Sequence, residues 1–151
     1  MAAIRRLLKE LLPGQIRGTV ALVPVVNEPA FHRGERTAED GLDLARVCPG
    51  NLDGSITEQI AYALSETIRS ADYYIDLHTG GRVWLHAEPA VLDCQRRIAR
   101  AFGLGVVWGT LPLPGRSLSV AADAGIPRSM SNTWAPPPVI QPASKRMYKV
   151  V

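Results

Sequence analysis

Tyr73-Tyr74-Ile75-Asp76-Leu77-His78-Thr79-Gly80-Gly81 is the stretch on which the fold turns. Aromatic and β-branched residues favour a strand, an acid and an imidazole then arrive, and a glycine pair ends it. In open α/β sheets ligands bind just beyond the carboxyl ends of the strands, which puts His78 where a metal ligand or catalytic base belongs. Taken alone, a histidine at a strand end is more often structural, so its meaning rests on its surroundings.

Immediately upstream, Ser55-Ile56-Thr57-Glu58 has the form of a capping box, and Ile60, Ala61, Leu64 and Ile68 set an apolar stripe behind it. A helix of about four turns therefore leads straight into the His78 strand. Further back, Gly18 to Val26 reads Gly-Thr-Val-Ala-Leu-Val-Pro-Val-Val, a continuous apolar run typical of a strand covered on both faces, although Pro24 removes a ladder donor. Strand, long loop, helix, strand is a βαβ-like crossover, and it predicts a parallel pair with the loop on the ligand side. Ile4, Leu7, Leu8 and Leu11 recur at helical spacing ahead of it, and Pro13-Gly14 stops that first helix. Because this helix opens at Met1 with no cap or strand before it, a preceding strand and loop are expected to be absent.

The loop from Asn27 to Gly54 is long for a compact domain, and such loops are usually functional. Its most informative side chains are Arg36 and Arg46, since a guanidinium is a planar, permanently charged fork that matches a carboxylate. Two of them beside a strand-end site suit an acidic substrate. Spacing alone slightly favours the plainer alternative, surface arginines paired with Glu35, Glu39, Asp40 or Asp43.

Beyond Gly81 the sequence reads as a loop carrying Arg82, Trp84 and His86, then an amphipathic helix marked by Val91, Cys94, Ile98 and Phe102. Arg96, Arg97 and Arg100 lie toward that helix's carboxyl end, where they complement the dipole and need no ligand. Gly105 to Trp108 suits a short strand, and Ser117 suits the cap of a brief helix ending at Gly125. From Arg128 to Val151 there is no acid and no apolar period, and Pro136-Pro137-Pro138 interrupts the chain, so an irregular tail is expected.

Composition bounds the rest. With 151 residues and 46% hydrophobic content, one globular domain with a single core is expected. The formal charge is +3, but Arg128, Lys145, Arg146 and Lys149 sit in the tail, leaving a nearly neutral body without the clustered basic face that nucleic-acid binding requires. Cys48 and Cys94 form no CxxC, no secretory signal precedes them, and no apolar run approaches the roughly 20 residues of a membrane span. A cytoplasmic chain is the expectation.

Pro24-Val25-Val26-Asn27, Ala30-Phe31, Arg36, Asp40-Gly41-Leu42-Asp43-Leu44-Ala45-Arg46, Pro49-Gly50 and Ile75-Asp76-Leu77-His78-Thr79-Gly80 form an ordered series. In that order the chain resembles the succinylglutamate desuccinylase/aspartoacylase family, one of the zinc metallocarboxypeptidase-like hydrolases. The resemblance covers about Ala3 to Pro127. It implies an α/β fold, a three-layer arrangement around a mixed, mostly parallel sheet of the zinc-carboxypeptidase type, incomplete in this chain. It divides the chain into a partial catalytic domain over residues 1–127 and a non-native tail over 128–151.

Family members hold one Zn2+ with an upstream His-x-x-Glu pair and a later histidine, which His78 matches. An Asn-Arg pair and a further arginine grip the substrate carboxylate; Arg46 matches the arginine of the pair, and Arg36 the additional one. Asp76 is implied as a support behind His78, although in a regular strand the two are expected to point apart. A glutamate activates the zinc-bound water, whose pKa the metal lowers toward about 7. The implied activity is hydrolysis of the amide bond of a small N-acyl amino acid.

Three departures follow from the sequence. The chain begins after the place of the His-x-x-Glu motif, Ala45 stands where relatives carry asparagine, and Arg128-Ser129-Met130-Ser131-Asn132 replaces the strand that ends in the catalytic glutamate. Read in a shifted frame, the codons of Met130, Ser131 and Asn132 yield Val and then Glu when the third base of the Ser131 codon is G. A frameshift after Pro127 is therefore expected, and a gene sequence whose shifted frame shows no family-like continuation contradicts it. Catalytic zinc takes three protein ligands plus water, and His78 alone is matched, with only His32 and His86 left as further histidines. The chain is accordingly expected to be inactive as it stands. A carboxypeptidase-like peptidase and a non-enzymatic remnant remain as alternative functions.

Overall fold

The computed structural model describes residues 2–79, 84–86, 101, 107–108 and 113–133. Along the chain run α1 (Ala2–Glu10), a 3-10 turn (Pro13–Gln15), α2 (Glu28–Arg33), α3 (Leu44–Val47), α4 (Ile56–Arg69), β1 (Tyr74–Thr79), β2 (Trp84–His86) and β3 (Val107–Trp108). After these come α5 (Ser117–Asp123) and β4 (Arg128–Thr133). Apart from Ala101, which is helical, the expected helix from Val91 to Phe102, with Cys94 and its arginines, lies outside the described residues, as do Gly80, Gly81, Arg82 and residues 134–151.

The helix that feeds the His78 strand forms as its sequence dictates. Glu58 reaches back to accept the Ser55 N–H at 2.8 Å, which satisfies an amide the helix leaves open. A second anchor comes from the loop: Asp40 accepts the Thr57 N–H and the Thr57 hydroxyl, each at 2.8 Å. Burial pushes the Asp40 carboxyl up, but hydrogen bonds from Thr57 and Leu42 outweigh this and hold it down at about 2. The unfolded carboxyl titrates near 3.9, so this tether stabilises the fold above about pH 4 and is lost as pH falls through about 2. Urea unfolding at stepped pH is expected to show the advantage of wild type over Asp40→Asn shrinking across that window; a constant gap contradicts it.

Four strands form one sheet in the order β1-β4-β2-β3. β4 runs parallel to β1, from Tyr74 opposite Arg128 to Thr79 opposite Thr133, and β3 runs parallel to β2. Only the β2–β4 pairing is antiparallel, with Leu85 opposite Ser131. The described chain is thus α/β around a mixed sheet. Its core packs α4 and α5 on β1 through Ala61, Ile68, Tyr74, Val120, Ala121 and Ile126. Burying Ile68, 1% exposed, contributes roughly 1.5–3 kcal/mol.

Several expectations change. Gly18 to Val26 is no strand: no described strand pairs with it, Pro24 lacks a donor, and Val23 is 42% exposed, which a strand covered on both faces cannot be. The parallel neighbour of β1 is instead β4, in the segment expected to be irregular. Arg128–Thr133 has no apolar alternation, yet β1 and β2 flank it and supply ladder partners on both sides. Pairing there overrides local pattern. Likewise Trp84–His86 is a strand and not a loop. The long loop also folds locally: Asn27 caps α2 by accepting the Ala30 N–H at 3.1 Å, Gly34 closes it at φ 66°, and Asp43 caps α3.

Candidate active site

Side chains along β1 alternate faces, so residues two apart lie side by side. Tyr74 enters the core, and Asp76 and His78 follow on the same face. The expectation that Asp76 and His78 point apart is therefore corrected: His78 Nε2 and Asp76 Oδ2 are 3.0 Å apart. The His78 side chain is 47% exposed and that of Asp76 23%, so the imidazole opens to solvent over a more covered carboxylate. The hydrogen bond to Asp76 raises the His78 pKa, against burial and the positive charges of Arg116 and Arg36.

The elements around β1 are stitched together by backbone. The Cys48 N–H donates to the Gly115 carbonyl at 3.0 Å, joining the end of α3 to the turn before α5. Gly115 has φ 83°, and a Cβ there would overlap the Arg46 carbonyl, so only glycine lets the two segments approach this closely. This contact brings the segments that carry Arg46 and Arg116 together. Ser117, expected as the cap of α5, is its first residue instead, following Arg116 at the cap, and its hydroxyl donates to Asp76 Oδ2 at 3.4 Å.

Of the acids proposed to neutralise the arginines, only Asp43 is shown to do so. Arg36 donates through Nε and Nη2 to Asp43 Oδ2 at 3.0 and 2.8 Å. Burial pushes the Asp43 carboxyl up, and the Arg36 hydrogen bond, the Ala45 N–H and the charges of Arg36 and Arg46 bring it below its ordinary value. Glu35 is taken by Arg33 at 2.7 Å, and Asp40 by α4. Arg46 donates to the Ala45 carbonyl at 2.8 Å. Arg116 was not among the residues that the sequence singled out. It lies in an irregular turn, and the signal that could have found it is the Gly115-Arg116-Ser117 step into a helix.

The site thus combines one imidazole, a supporting carboxylate and three guanidiniums, with Arg36 and Arg116 inside the electrostatic reach of His78. Guanidiniums are the side chains chemically suited to a bidentate contact with a carboxylate. As a zinc site the described residues do not fit: no group of three His, Cys, Asp or Glu side chains among them could hold a metal ion, and Asp76 with His78 is one ligand short of the three that a catalytic zinc takes. His32 pairs with Glu28 on the exposed face of α2 at 3.4 Å, and the His86 side chain lies outside the described residues. Cys48 is buried and free, with its thiol pushed up by burial. No helix among the described residues is long and apolar enough to cross a membrane.

Over 114 residues the chain is 40% identical to the N-alpha-acetyl-L-2,4-diaminobutyric acid deacetylase of Halomonas elongata, covering 68% of this chain and 33% of that protein. The product-bound ectoine utilization protein EutE (DoeB) from Ruegeria pomeroyi superimposes with a TM-score of 0.75 at 24% identity, over 86% of this chain and 44% of that one. A succinylglutamate desuccinylase/aspartoacylase from Rhodobacter sphaeroides gives 0.75 at 25% identity, over 87% and 42%. The chain spans about a third of the length of the curated relative and under half of these solved structures. Residues 1–113, which include both loop arginines and β1, match the succinylglutamate desuccinylase/aspartoacylase catalytic domain, and the chain belongs to that family.

Proposed function

We propose that this chain carries the carboxylate-binding part of an N-acyl amino acid deacylase, and that as it stands it binds such compounds without hydrolysing them. The observation that carries the reading is that the positive charges of Arg36 and Arg116 act on His78, while Asp43 links Arg36 to the turn that carries Arg46. The relative's action on an N-alpha-acetylated amino acid supports a small acylated amino acid over a peptide as ligand. In this reading the sheet belongs to the three-layer zinc-carboxypeptidase type, and the chain is cytoplasmic, in line with a free Cys48.

The residues have distinct parts. The arginines hold the free carboxylate, Asp76 orients the His78 ring and favours its protonated form, and Ser117 steadies Asp76. His78 is the residue that would ligate Zn2+, a metal that in a complete site polarises an acyl carbonyl and activates water. Turnover also needs a group to take the proton from water, and the register puts Asn132 opposite His78, at the strand position where the resemblance expects a glutamate. An amide cannot take that proton.

The test is calorimetric binding of N-acetyl amino acids, paired with an assay for released amine on the same compounds and on peptides with free carboxyl ends, in added Zn2+. Binding without release is expected, and His78→Ala is expected to bind no more zinc than a buffer control. Hydrolysis by wild type contradicts the inactivity, release from peptides alone favours the peptidase, and no binding overturns the reading.

A further inference from the structure

We propose that Asp43 is a positioning residue that holds the Arg36 guanidinium, and the turn carrying Arg46, in the geometry that receives a carboxylate. The inference rests on the carboxylate-binding reading above. Asp43 is anchored first: its Oδ1 accepts the Ala45 N–H at 3.0 Å and so caps α3. Its Oδ2 then takes both Nε and Nη2 of Arg36, seven residues upstream. One carboxylate therefore couples two chain segments, each bearing an arginine of the site.

The contrast in exposure shows which partner holds which. The Asp43 side chain is 25% exposed, whereas that of Arg36 is 70% exposed and would otherwise rotate freely in water. A long side chain fixed before the ligand arrives loses less freedom on binding, which is the general route by which preorganisation raises affinity. The arrangement also leaves donors in hand. Nε and one Nη2 hydrogen are committed to a single oxygen, so the Nη1 donors stay available for a ligand. Ordinary surface ion pairs contribute little, but this one shares its acid with a helix cap.

Asp43→Asn separates the two duties, because an asparagine oxygen still caps α3 while the charge that grips Arg36 is gone. The probes are the Arg36 Nε–H signal in nitrogen-15 NMR, assigned by its loss in Arg36→Ala, and calorimetric binding of an N-acetyl amino acid. Wild type is expected to show a slowly exchanging Nε–H that broadens or disappears in Asp43→Asn. Binding is expected to weaken about tenfold in Asp43→Asn, and not further when the substitution is made in Arg36→Ala. Removing a negative charge by itself would strengthen anion binding, so a weakening cannot be an effect of net charge. An unchanged Nε–H, unchanged or tighter binding in Asp43→Asn, or an equal loss in the Arg36→Ala background overturns the inference. Wild type that holds Arg36 yet binds no N-acetyl amino acid overturns the functional reading while leaving the grip of Asp43 on Arg36 demonstrated.

Discussion

Gly50→Ala is expected to destabilise the fold by about 2–5 kcal/mol, a large effect for a single added methyl. Two penalties combine there. Gly50 has φ 83°, a left-handed conformation that costs a residue with a Cβ roughly 1–2 kcal/mol. The added Cβ would also overlap backbone atoms of Glu58, Ala61 and Tyr62 in α4, and a helix backbone cannot step aside as a side chain can. Relieving that overlap adds about 1–3 kcal/mol. The consequence reaches the site, because Gly50 donates to Val47 at 2.8 Å and so fixes the end of α3 against α4. Against a total of about 5–15 kcal/mol, the loss should appear as a clear fall in the urea midpoint. A midpoint within error of wild type would show that α4 and the Pro49-Gly50 turn are not packed as described.

The largest effect on binding is expected from Arg46→Ala, which should weaken an N-acyl amino acid about 10–100-fold while leaving the urea midpoint nearly unchanged. A charge-assisted hydrogen bond is worth about 1.5–3 kcal/mol, and each 1.4 kcal/mol is tenfold in affinity. Arg46 is exposed, so its removal opens no cavity. Its backbone is nevertheless fixed, by the Asp43 cap before it and by the close approach of Gly115 after it. Arg46→Lys is expected to recover little, since an ammonium cannot reproduce a two-pronged contact. Full recovery by lysine would show that net charge suffices and that geometry does not matter.

The parts of this fold that were legible in the sequence are those specified locally. The Ser55–Glu58 signature and the stripe through Ile68 announce α4, and aromatic and branched residues before two glycines announce β1. The site was half legible for a related reason. His78 and the loop arginines stand in recognisable motifs, whereas Arg116 reaches them only through the Cys48–Gly115 contact, a pairing of segments distant in sequence. The relation of Asp76 to His78 follows from strand geometry alone, since adjacent residues point apart but residues two apart share a face.

What the sequence could not show is where strand partners come from. Gly18 to Val26 carries a strong strand pattern and pairs with no described strand, while Arg128–Thr133 carries almost none and lies between two. Ladder hydrogen bonds are supplied by neighbours, so a weak sequence in a central position outranks a strong one without a partner. The same pairing places Asn132 opposite His78. On the reading proposed above, this is the strand position of the proton acceptor, and the residue there is an amide.

On the reading proposed above, Arg36, Arg46 and Arg116 recognise a free carboxylate. Calorimetric titration of wild type with an N-acetyl amino acid and with the same compound as its carboxamide tests this most directly. The acid is expected to bind at least about tenfold more tightly, by the worth of one charge-assisted contact, and that advantage should shrink as salt is added. Equal affinity for acid and amide would contradict the account.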